Sequence, residues 1–437
     1  MSIATRTTSA RAAGFGSGTS PQGELPAWPV LVLLWGMPVW WALGMLPFAN
    51  AIMAVPMVAF LLRRGQVTLV PGVMPWVAFV AWMIPCALML DSLGRVVGFS
   101  IRFTQFAAIA VALIYVVNAR QSLTVRRVLA GLTFVWVFVI VGGYLGMLWP
   151  EVTLTHTVGR LLPGSILSNE YVSDLVFPPF AEIQTPYGAE QPFLRPSAPF
   201  AYSNGWGSAI AILTPIVVGA AIARRTAKAT IWLIIGIAAS IPPAIATTNR
   251  GLFVGIIAAV GYVLIRLLLR GKWLPFLWVG ALAAALFAVL ALSGLLEAIA
   301  ERQDTVDTTD GRRTLYAEAF ERTLQSPILG YGAPRPSYTT EIAVGTQGMI
   351  WNAMFCFGFV GLALFAIFLL GALLRTAAAP NVAALWLHSS VVAAVVMSTF
   401  YGLDRHMLAI CIVLGVMLRE RYAQQSGFWT PNPRTDA

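Results

Sequence analysis

The sequence predicts an all-α polytopic membrane protein with about 12 transmembrane helices and two long extracytoplasmic loops. Of the 437 residues, 58% are hydrophobic and only 11% are charged, and the apolar residues occur in long runs. Soluble domains contain about 45–50% apolar and about 25% charged residues, whereas a transmembrane helix needs about 20 mostly apolar residues. The composition therefore excludes a cytosolic enzyme, a disordered chain and a disulfide-based scaffold.

The apolar runs divide the chain into tails, groups of spans and loops. In chain order these are a disordered cytoplasmic tail at 1–27, five spans within 28–149, the first long loop at 150–205, four spans within 206–293, the second long loop at 294–348, three spans within 349–418 and a cytoplasmic tail at 419–437. The first two spans contain Pro29, Pro38, Pro47 and Pro56. Because proline interrupts helices, these spans form either two helices or one broken hairpin.

The distribution of charge predicts the topology. The tails and every second connection contain 17 of the 28 basic residues but only 3 of the 18 acidic residues. Since basic residues mark cytoplasmic connections, we expect a multi-pass protein of the cytoplasmic (inner) membrane with both termini in the cytoplasm. Both long loops then face outward, and loops beyond about 12–15 residues usually carry function. The net charge of +10 does not indicate nucleic-acid binding, because the basic residues are scattered over the ends of spans.

The two long loops differ in pattern. The first is rich in proline, aromatic and small polar residues and lacks helical periodicity. The second contains a predicted amphipathic helix, with Asp310 as its cap and with Leu315, Tyr316, Phe320 and Leu324 on one face. Two interpretations of this helix remain open: it lies along the membrane interface, or it packs on the spans as a small lid.

Several arginines on the predicted outer side need an explanation. Arg102 lies within the fourth span, and Arg250 lies between two spans that have almost no loop between them. Ionisable groups at membrane depth usually mark a cavity, an ion pair or a substrate path, although an arginine can also extend to the lipid headgroups. A guanidinium group matches phosphate oxygens in two hydrogen bonds, so converging outer arginines would suit a lipid pyrophosphate. The alternative is ion pairing, which is the better interpretation for Arg302 and Arg322, next to Glu301 and Glu321.

Five short motifs occur in order between residues 195 and 361. They are Arg195–Phe200 followed by Asn204, the run Thr247–Gly255, Gly311–Tyr316, Ser326–Gly332 and Gln347–Gly361. Together with the two outer loops, they resemble the O-antigen ligase and polymerase superfamily of membrane glycosyltransferases. The superfamily's histidine, its proposed general base, falls on Gln347. Glutamine cannot accept the proton at neutral pH, but it can orient an acceptor hydroxyl; the base therefore lies elsewhere, or deprotonation is late.

The resemblance implies an inverting, metal-independent glycosyltransferase on the outer face of the membrane, without a cofactor. Its donor would be a glycan on polyprenyl pyrophosphate, and its acceptor a hydroxyl of a glycan or glycolipid. By the same resemblance Arg250 and Arg312 are the main pyrophosphate ligands and, with Gln347, the candidate catalytic residues. Weaker candidates for substrate binding are Arg195, Arg102, Arg313 and Asn204.

Other hypotheses and candidates remain. A transporter or flippase of a lipid-linked glycan would also have many spans, but the two halves of this chain do not show the internal repeats that are common in transporters. A non-catalytic protein of envelope assembly is the third hypothesis, which Gln347 favours. Ligase and polymerase share the motifs, so the choice between them is open. The three histidines, His156, His388 and His406, are interpreted as structural.

Overall fold

The computed structural model describes residues 23–168, 170–184, 193–281, 308–340 and 342–425. Within these ranges the chain is mainly helical, and the predicted all-α fold is confirmed apart from one short β-hairpin. The helices are α1 (Trp28–Trp35), α2 (Met37–Ala42), α3 (Ala49–Arg64), α4 (Met74–Cys86), α5 (Leu93–Asn118), α6 (Val125–Leu148), α7 (Gly164–Leu167), α8 (Glu170–Val176), α9 (Ser203–Arg224), α10 (Ala227–Ala246), α11 (Arg250–Leu268), α12 (Thr308–Gln325), α13 (Met349–Thr376), α14 (Val382–Met397) and α15 (Met407–Gln425).

Six of these helices, α5, α6, α9, α10, α11 and α13, are long and apolar enough to cross a membrane. Two shorter apolar helices are α4, with the 3-10 turn Ala87–Met89 that extends it, and α14. The chain is therefore a multi-pass membrane protein, while the number of twelve spans stays a prediction. The last of the four spans predicted within 206–293, Trp273–Ser293, is helical from residue 274 to 281, and its remaining residues lie outside the described ranges.

The first predicted span is broken, and the second is a separate helix. α1 ends at Trp35, and α2 begins at Met37 after Gly36. Pro38 explains the break, because its ring lacks an N–H and collides with the carbonyl of residue i−4. α3 then runs without interruption through Pro56. The structure thus favours two separate elements, the broken pair α1–α2 and the continuous helix α3, over a single broken hairpin. α1 and α2 are each too short to cross a bilayer.

Hydrogen bonds and ion pairs bring the basic connections together at one end of the helix bundle. The pairs are Arg64 with the Asn118 carbonyl (2.8 Å), Arg120 with Glu420 (2.9 Å) and Arg266 with the Ala377 carbonyl (3.0 Å). The parts of the chain predicted to be outside meet at the other end, where Asp91 pairs with Arg335 (3.1 Å) and Arg102 with Asp404 (3.1 Å). This separation agrees with the alternation predicted from charge. Which end faces the cytoplasm stays a prediction.

Parts of both predicted tails pack on the bundle. Leu25 is buried, and Tyr115 donates its hydroxyl hydrogen to the Pro26 carbonyl at 2.6 Å. The last helix continues past the predicted boundary at 418, and Arg419 is buried where it donates to the carbonyls of Val116 (2.8 Å) and Leu123 (2.5 Å). Residues 23–27 and 419–425 are therefore part of the fold, while residues 1–22 lie outside the described ranges.

The first long loop contains more regular structure than its sequence pattern predicts. It holds a 3-10 turn at Val158–Leu161, the short helices α7 and α8, and the strands β1 (Ala181–Gln184) and β2 (Phe193–Pro196). The strands pair antiparallel, with Glu182 opposite Arg195. Helices of four to seven residues are too short to produce a visible 3.6-residue period. The hairpin is anchored at the start of α9, because the Glu182 carboxylate accepts hydrogen bonds from the Ser203 N–H (2.9 Å) and hydroxyl (2.6 Å).

The helix predicted in the second long loop is present, but its cap and its buried face differ from the prediction. α12 begins at Thr308, so Asp310 lies inside its first turn. Phe320 and Leu324 are 48% and 57% exposed, whereas Glu318 and Arg322 are buried. The helix packs on α13, which favours the lid over a helix that lies only along the interface.

A kink in α13 positions the turn that follows α12. At Gly358 the backbone has φ 69°, in the left-handed region that favours glycine. A Cβ at this position would lie 2.2 Å from the Ile328 carbonyl oxygen. The Phe359 N–H donates to the Pro327 carbonyl at 2.8 Å, and the Tyr331 N–H donates to the Phe355 carbonyl at 3.0 Å. Two of the sequence motifs, Ser326–Gly332 and Gln347–Gly361, are therefore packed against each other.

Candidate active site

A buried tyrosine, Tyr401, is the centre of a polar cluster at the end of the bundle that is predicted to face outward. It lies between α14 and α15 and is 7% exposed. Its hydroxyl donates to Asn249 Oδ1 at 2.5 Å and accepts from the Gly251 N–H at 3.3 Å. Asn249 is also the N-cap of α11, because its Oδ1 accepts the Leu252 N–H at 3.1 Å. Tyr401 therefore fixes the start of the helix whose first residue is Arg250.

Arg312 contacts the same tyrosine from the second long loop. Its Cζ lies 5.7 Å from the centroid of the Tyr401 ring, which is a cation–π contact. Burial raises the pKa of the Tyr401 hydroxyl, while the positive charge of Arg312 opposes this shift. The phenol is therefore neutral at physiological pH; its ring contacts Arg312, and its hydroxyl binds the start of α11.

Aromatic stacking fixes the first turns of α12 on α13. Tyr316, one turn after Arg312, stacks on Trp351 with ring centroids 4.3 Å apart and planes 10° from parallel. Trp351 donates its indole N–H to the Thr399 carbonyl at 2.9 Å. Burial raises the pKa of Tyr316, and Arg312 again acts to lower it. The stack therefore helps to position Arg312, one turn away, near Tyr401.

Arg195 approaches the cluster from β2. Its Nε donates to the Thr247 carbonyl at 2.9 Å, two residues before the helix cap Asn249. One of its terminal nitrogens lies 3.9 Å from a Glu182 carboxylate oxygen. The charge of Arg195 also acts to lower the pKa of Tyr401. The β-hairpin therefore brings a third cation to the start of α11, partly neutralised by Glu182.

Arg250 is the most solvent-accessible cation of this group. Its side chain is exposed, and no ion pair joins Arg250 or Arg312 to a carboxylate in the described ranges. The start of a helix carries a partial positive charge and free N–H groups, which favour anions. Two guanidinium groups beside such a helix start form a site for an anionic group such as a phosphate or pyrophosphate.

The remaining sequence candidates lie at different distances from this cluster. Gln347 is half-buried, and its amide donates to the Thr346 hydroxyl at 3.3 Å. Two residues later, the Met349 N–H donates to the Tyr401 carbonyl at 2.9 Å, so this segment reaches the cluster through its backbone. Arg313 is exposed on α12, and Asn204 is half-buried in the first turn of α9. Within the described part of the chain, neither side chain forms a hydrogen bond with Tyr401.

Arg102 forms its ion pair at a different place on the end of the bundle that is predicted to face outward. Its Nε lies 3.1 Å from a carboxylate oxygen of Asp404, and Gln105 donates to the Asp404 backbone carbonyl at 3.2 Å. Of the interpretations for a charge at membrane depth, the ion pair is the one that the structure displays for Arg102. Its side chain is oriented by Asp404.

Sequence reasoning missed Tyr401, Asn249 and Trp351 as parts of the site. Asn249 had a recognisable signal, because asparagine directly before the first residue of a span is a favoured helix cap. Tyr401 and Trp351 had none, since they lie inside or at the end of apolar runs and read as packing residues. Within the described ranges, no group of three or more His, Cys, Asp and Glu residues is arranged to hold a metal ion. Two further acidic residues of the second long loop, Asp304 and Asp307, lie outside those ranges.

Residues 235–366 match the family model described as O-antigen ligase. The matched segment begins in α10, includes Arg250, Arg312 and Gln347, and ends in α13. The resemblance predicted from the motifs is therefore confirmed. Arg195 and Tyr401 lie outside the matched segment and reach it through the contacts above. No curated protein matches the chain.

Proposed function

We propose that this chain is an inverting, metal-independent glycosyltransferase of the O-antigen ligase and polymerase type. It transfers a glycan from a polyprenyl-pyrophosphate donor to an acceptor hydroxyl on the outer face of the cytoplasmic membrane. The observation that carries the proposal is the double contact of Tyr401: its ring lies against Arg312, and its hydroxyl binds the start of α11, the helix whose first residue is Arg250. Both arginines belong to the segment that matches the ligase family.

The chemistry requires stabilisation of a leaving pyrophosphate. The acceptor oxygen forms a bond to the anomeric carbon from one face, while the bond to the pyrophosphate oxygen breaks on the other and its electron pair leaves with the pyrophosphate. Negative charge therefore develops on that group, and fixed cations aimed at it lower the barrier. We assign this role to Arg250 and Arg312, assisted by the N-terminal dipole of α11. Arg195 is a further ligand on the side of the hairpin.

The acceptor hydroxyl must lose its proton during the same reaction. Gln347 is not a base, so its proposed role is to orient the acceptor by hydrogen bonds. Deprotonation then follows the formation of the new bond, when the acceptor oxygen is strongly acidic and its proton passes to solvent water. The proposed partners are the lipid-linked donor, a glycan or glycolipid acceptor and the bilayer. Neither a nucleic acid nor a cofactor has a part in the reaction.

The decisive experiment is a transfer assay with the purified full-length chain. The protein is given a synthetic polyprenyl-pyrophosphate oligosaccharide and an acceptor glycan, and products are separated by mass spectrometry. We expect a new glycosidic bond with inverted anomeric configuration. Movement of intact donor across liposomes without bond cleavage would instead support the transporter. The absence of both activities with a range of donors would favour an assembly role.

Metal independence is tested in the same assay. Because guanidinium groups supply the positive charge, we expect a chelator such as EDTA to leave the initial rate within about twofold of the untreated rate, compared with the 10²–10³-fold typical of a lost electrostatic ligand. The control is a metal-dependent glycosyltransferase treated in parallel. A large loss that added Mg²⁺ or Mn²⁺ reverses would contradict this part of the proposal.

Tyr401→Phe tests the double contact of Tyr401. The variant keeps the ring that contacts Arg312 but removes the hydroxyl that binds Asn249 and the Gly251 N–H, and a lost buried hydrogen bond costs about 1–3 kcal/mol. We expect kcat to fall roughly tenfold while the KM for the acceptor is unchanged. The matched control is Tyr262→Phe, because the Tyr262 hydroxyl also binds an arginine, Arg266, but at the opposite end of the bundle. Equal effects of the two changes would mean that the tyrosine acts only on stability.

Gln347→Ala tests the orienting role. Loss of a side chain that only orients the acceptor is expected to lower kcat/KM by less than about tenfold, whereas removing a general base costs about 10²–10⁴-fold. The neighbouring change Thr346→Ala, which removes the partner of the Gln347 amide, is the control. A loss of more than 10²-fold in Gln347→Ala alone would give this residue a larger part in proton transfer than we propose.

A further inference from the structure

A second site is visible in a cavity between α1, α2, α5, α6, α9 and α15. The cavity has a volume of about 90 Å³. Its walls are mostly apolar and include Leu34, Leu132 and Leu213, and its polar lining residues are Asn50, Gln105, Arg405 and His406. Apolar walls offer water few hydrogen-bond partners, so a cavity of this kind is poorly suited to hold ordered water. Tyr401, Arg250 and Arg312 do not line it.

His406 presents an unused hydrogen-bond acceptor at this cavity. The residue is 8% exposed, and its Nε2 lies 2.9 Å from the Gly205 carbonyl oxygen. A carbonyl only accepts, so Nε2 carries the proton, and Nδ1 of the neutral ring is an acceptor. Nδ1 is buried and has no hydrogen-bond partner within the described part of the chain. A buried polar atom of this kind is costly unless a ligand or water satisfies it.

Arg405 supplies an uncompensated positive charge at the same cavity. Its side chain is partly buried, and no described residue forms an ion pair or hydrogen bond with it. The adjacent carboxylate, Asp404, pairs with Arg102 instead. Partly buried charges are normally neutralised by a partner. The cavity therefore combines an apolar body, a free cation and a hydrogen-bond acceptor.

We propose that this cavity binds one apolar chain that carries an anionic phosphate head with an O–H donor. The part of the chain next to the head lies between the apolar walls and the rest extends out of the open cavity, the phosphate oxygens bind Arg405, and the O–H donates to His406 Nδ1. A prenyl monophosphate has this chemistry, since its second pKa is about 6, and so does a phospholipid whose head carries hydroxyl groups. The site is separate from the one at Tyr401 and does not depend on glycan transfer.

Binding is measured with the full-length protein in nanodiscs of phosphatidylcholine. The probe is farnesyl phosphate with a photoreactive diazirine, and cross-linked peptides are mapped by mass spectrometry. We expect labelling of α6 and α9, and at least tenfold weaker binding of uncharged farnesol. Competition by phosphatidylglycerol at membrane concentrations identifies a bilayer lipid as the natural occupant. If farnesyl phosphate stays bound despite this competition, the natural occupant is a prenyl phosphate.

Three variants separate the contributions of charge and space. Arg405→Gln is expected to weaken the binding of farnesyl phosphate at least tenfold and to change the binding of farnesol little. The difference in affinity between the two ligands is then lost. Leu213→Trp fills the cavity and is expected to abolish labelling by both. Its matched control is Ile222→Trp, at an exposed position of the same helix. Should Leu213→Trp fail to fold, Ala409→Leu narrows the cavity more gently.

Two outcomes would overturn the proposal. One is equal binding of farnesyl phosphate and farnesol to the wild type, and the other is unchanged labelling in both Arg405→Gln and the cavity-filling variants. Neither outcome involves the glycan donor or transfer, so each leaves the proposed glycosyltransferase untouched. Conversely, loss of transfer in Arg312→Ala leaves farnesyl phosphate binding at this cavity unchanged.

Discussion

Arg312→Ala is expected to lower kcat for glycan transfer by about 10²–10³-fold, the usual cost of removing one fixed ligand of a developing negative charge. Arg312 forms no ion pair with a described carboxylate, and it is held by Tyr401 rather than by an acid. Its charge is therefore free to act on the leaving pyrophosphate. The KM for the donor should rise much less than kcat falls, because the charge on the pyrophosphate grows in the transition state.

Two further variants make this result specific to Arg312. Arg312→Lys keeps the charge but loses the two-pronged geometry that matches phosphate oxygens, so its activity should lie between those of wild type and Arg312→Ala. Arg313→Ala is the matched control, since Arg313 is the next residue on the same helix and is exposed. We expect it to cost less than about tenfold, well below the loss of a direct ligand. Wild-type transfer by Arg312→Ala would remove the pyrophosphate-binding argument.

The positions of the spans are largely readable from the sequence, because the signals that define them are local. α11 begins at Arg250 and α13 at Met349, as the apolar runs and the adjacent polar residues predict. The break between α1 and α2 was suggested by prolines, but its position at Gly36 was not. Local patterns thus locate helices well and their interruptions less well.

The composition of the site is much less readable, because its contacts join distant parts of the chain. The motifs identified Arg250 and Arg312 but not the double contact of Tyr401, which lies in a connection with no pattern of its own. An ion pair was predicted for Arg322 from its neighbour Glu321, but the buried partner in the structure is Glu318, one helical turn away. The terminal nitrogen Nη1 of Arg322 also donates to the Pro336 carbonyl, a contact between segments that no local pattern shows.

Arg322→Ala is expected to lower the free energy of unfolding of the second long loop by about 3–5 kcal/mol, the usual cost of breaking a buried ion pair from one side. Arg322 is 6% exposed and donates to Glu318 (2.9 Å) and to the Pro336 carbonyl (2.9 Å). Its guanidinium also lies 4.5 Å from the ring centroid of Tyr338 and 5.2 Å from that of Phe355. The change therefore leaves Glu318 buried without a cation and separates the loop from α13.

The expected loss is measured by hydrogen exchange of peptides from residues 308–340 and by thermal unfolding in detergent. Exchange should become faster throughout this segment, while α5 and α6 retain their protection. The matched control is again Arg313→Ala, because surface changes on helices usually alter stability by no more than about 0.5 kcal/mol. Equal exchange in Arg322→Ala and Arg313→Ala would show that the ion pair contributes nothing to the loop.

The pH dependence gives a second, independent signature of the same pair. Burial acts to raise the pKa of Glu318, but hydrogen bonds from Ser337, Arg322 and the Tyr338 N–H outweigh it, and the pKa is lowered from its ordinary value of 4.5. A lowered pKa in the folded state stabilises the fold above pH 4.5, and this stability is lost as the pH falls through the lowered value. In Arg322→Ala the hydrogen bond and charge of Arg322 no longer lower the pKa of Glu318, so less stability is lost as the pH falls. The deficit of Arg322→Ala should therefore shrink as the pH is lowered towards 4, and a constant deficit would contradict the pairing of the two charges.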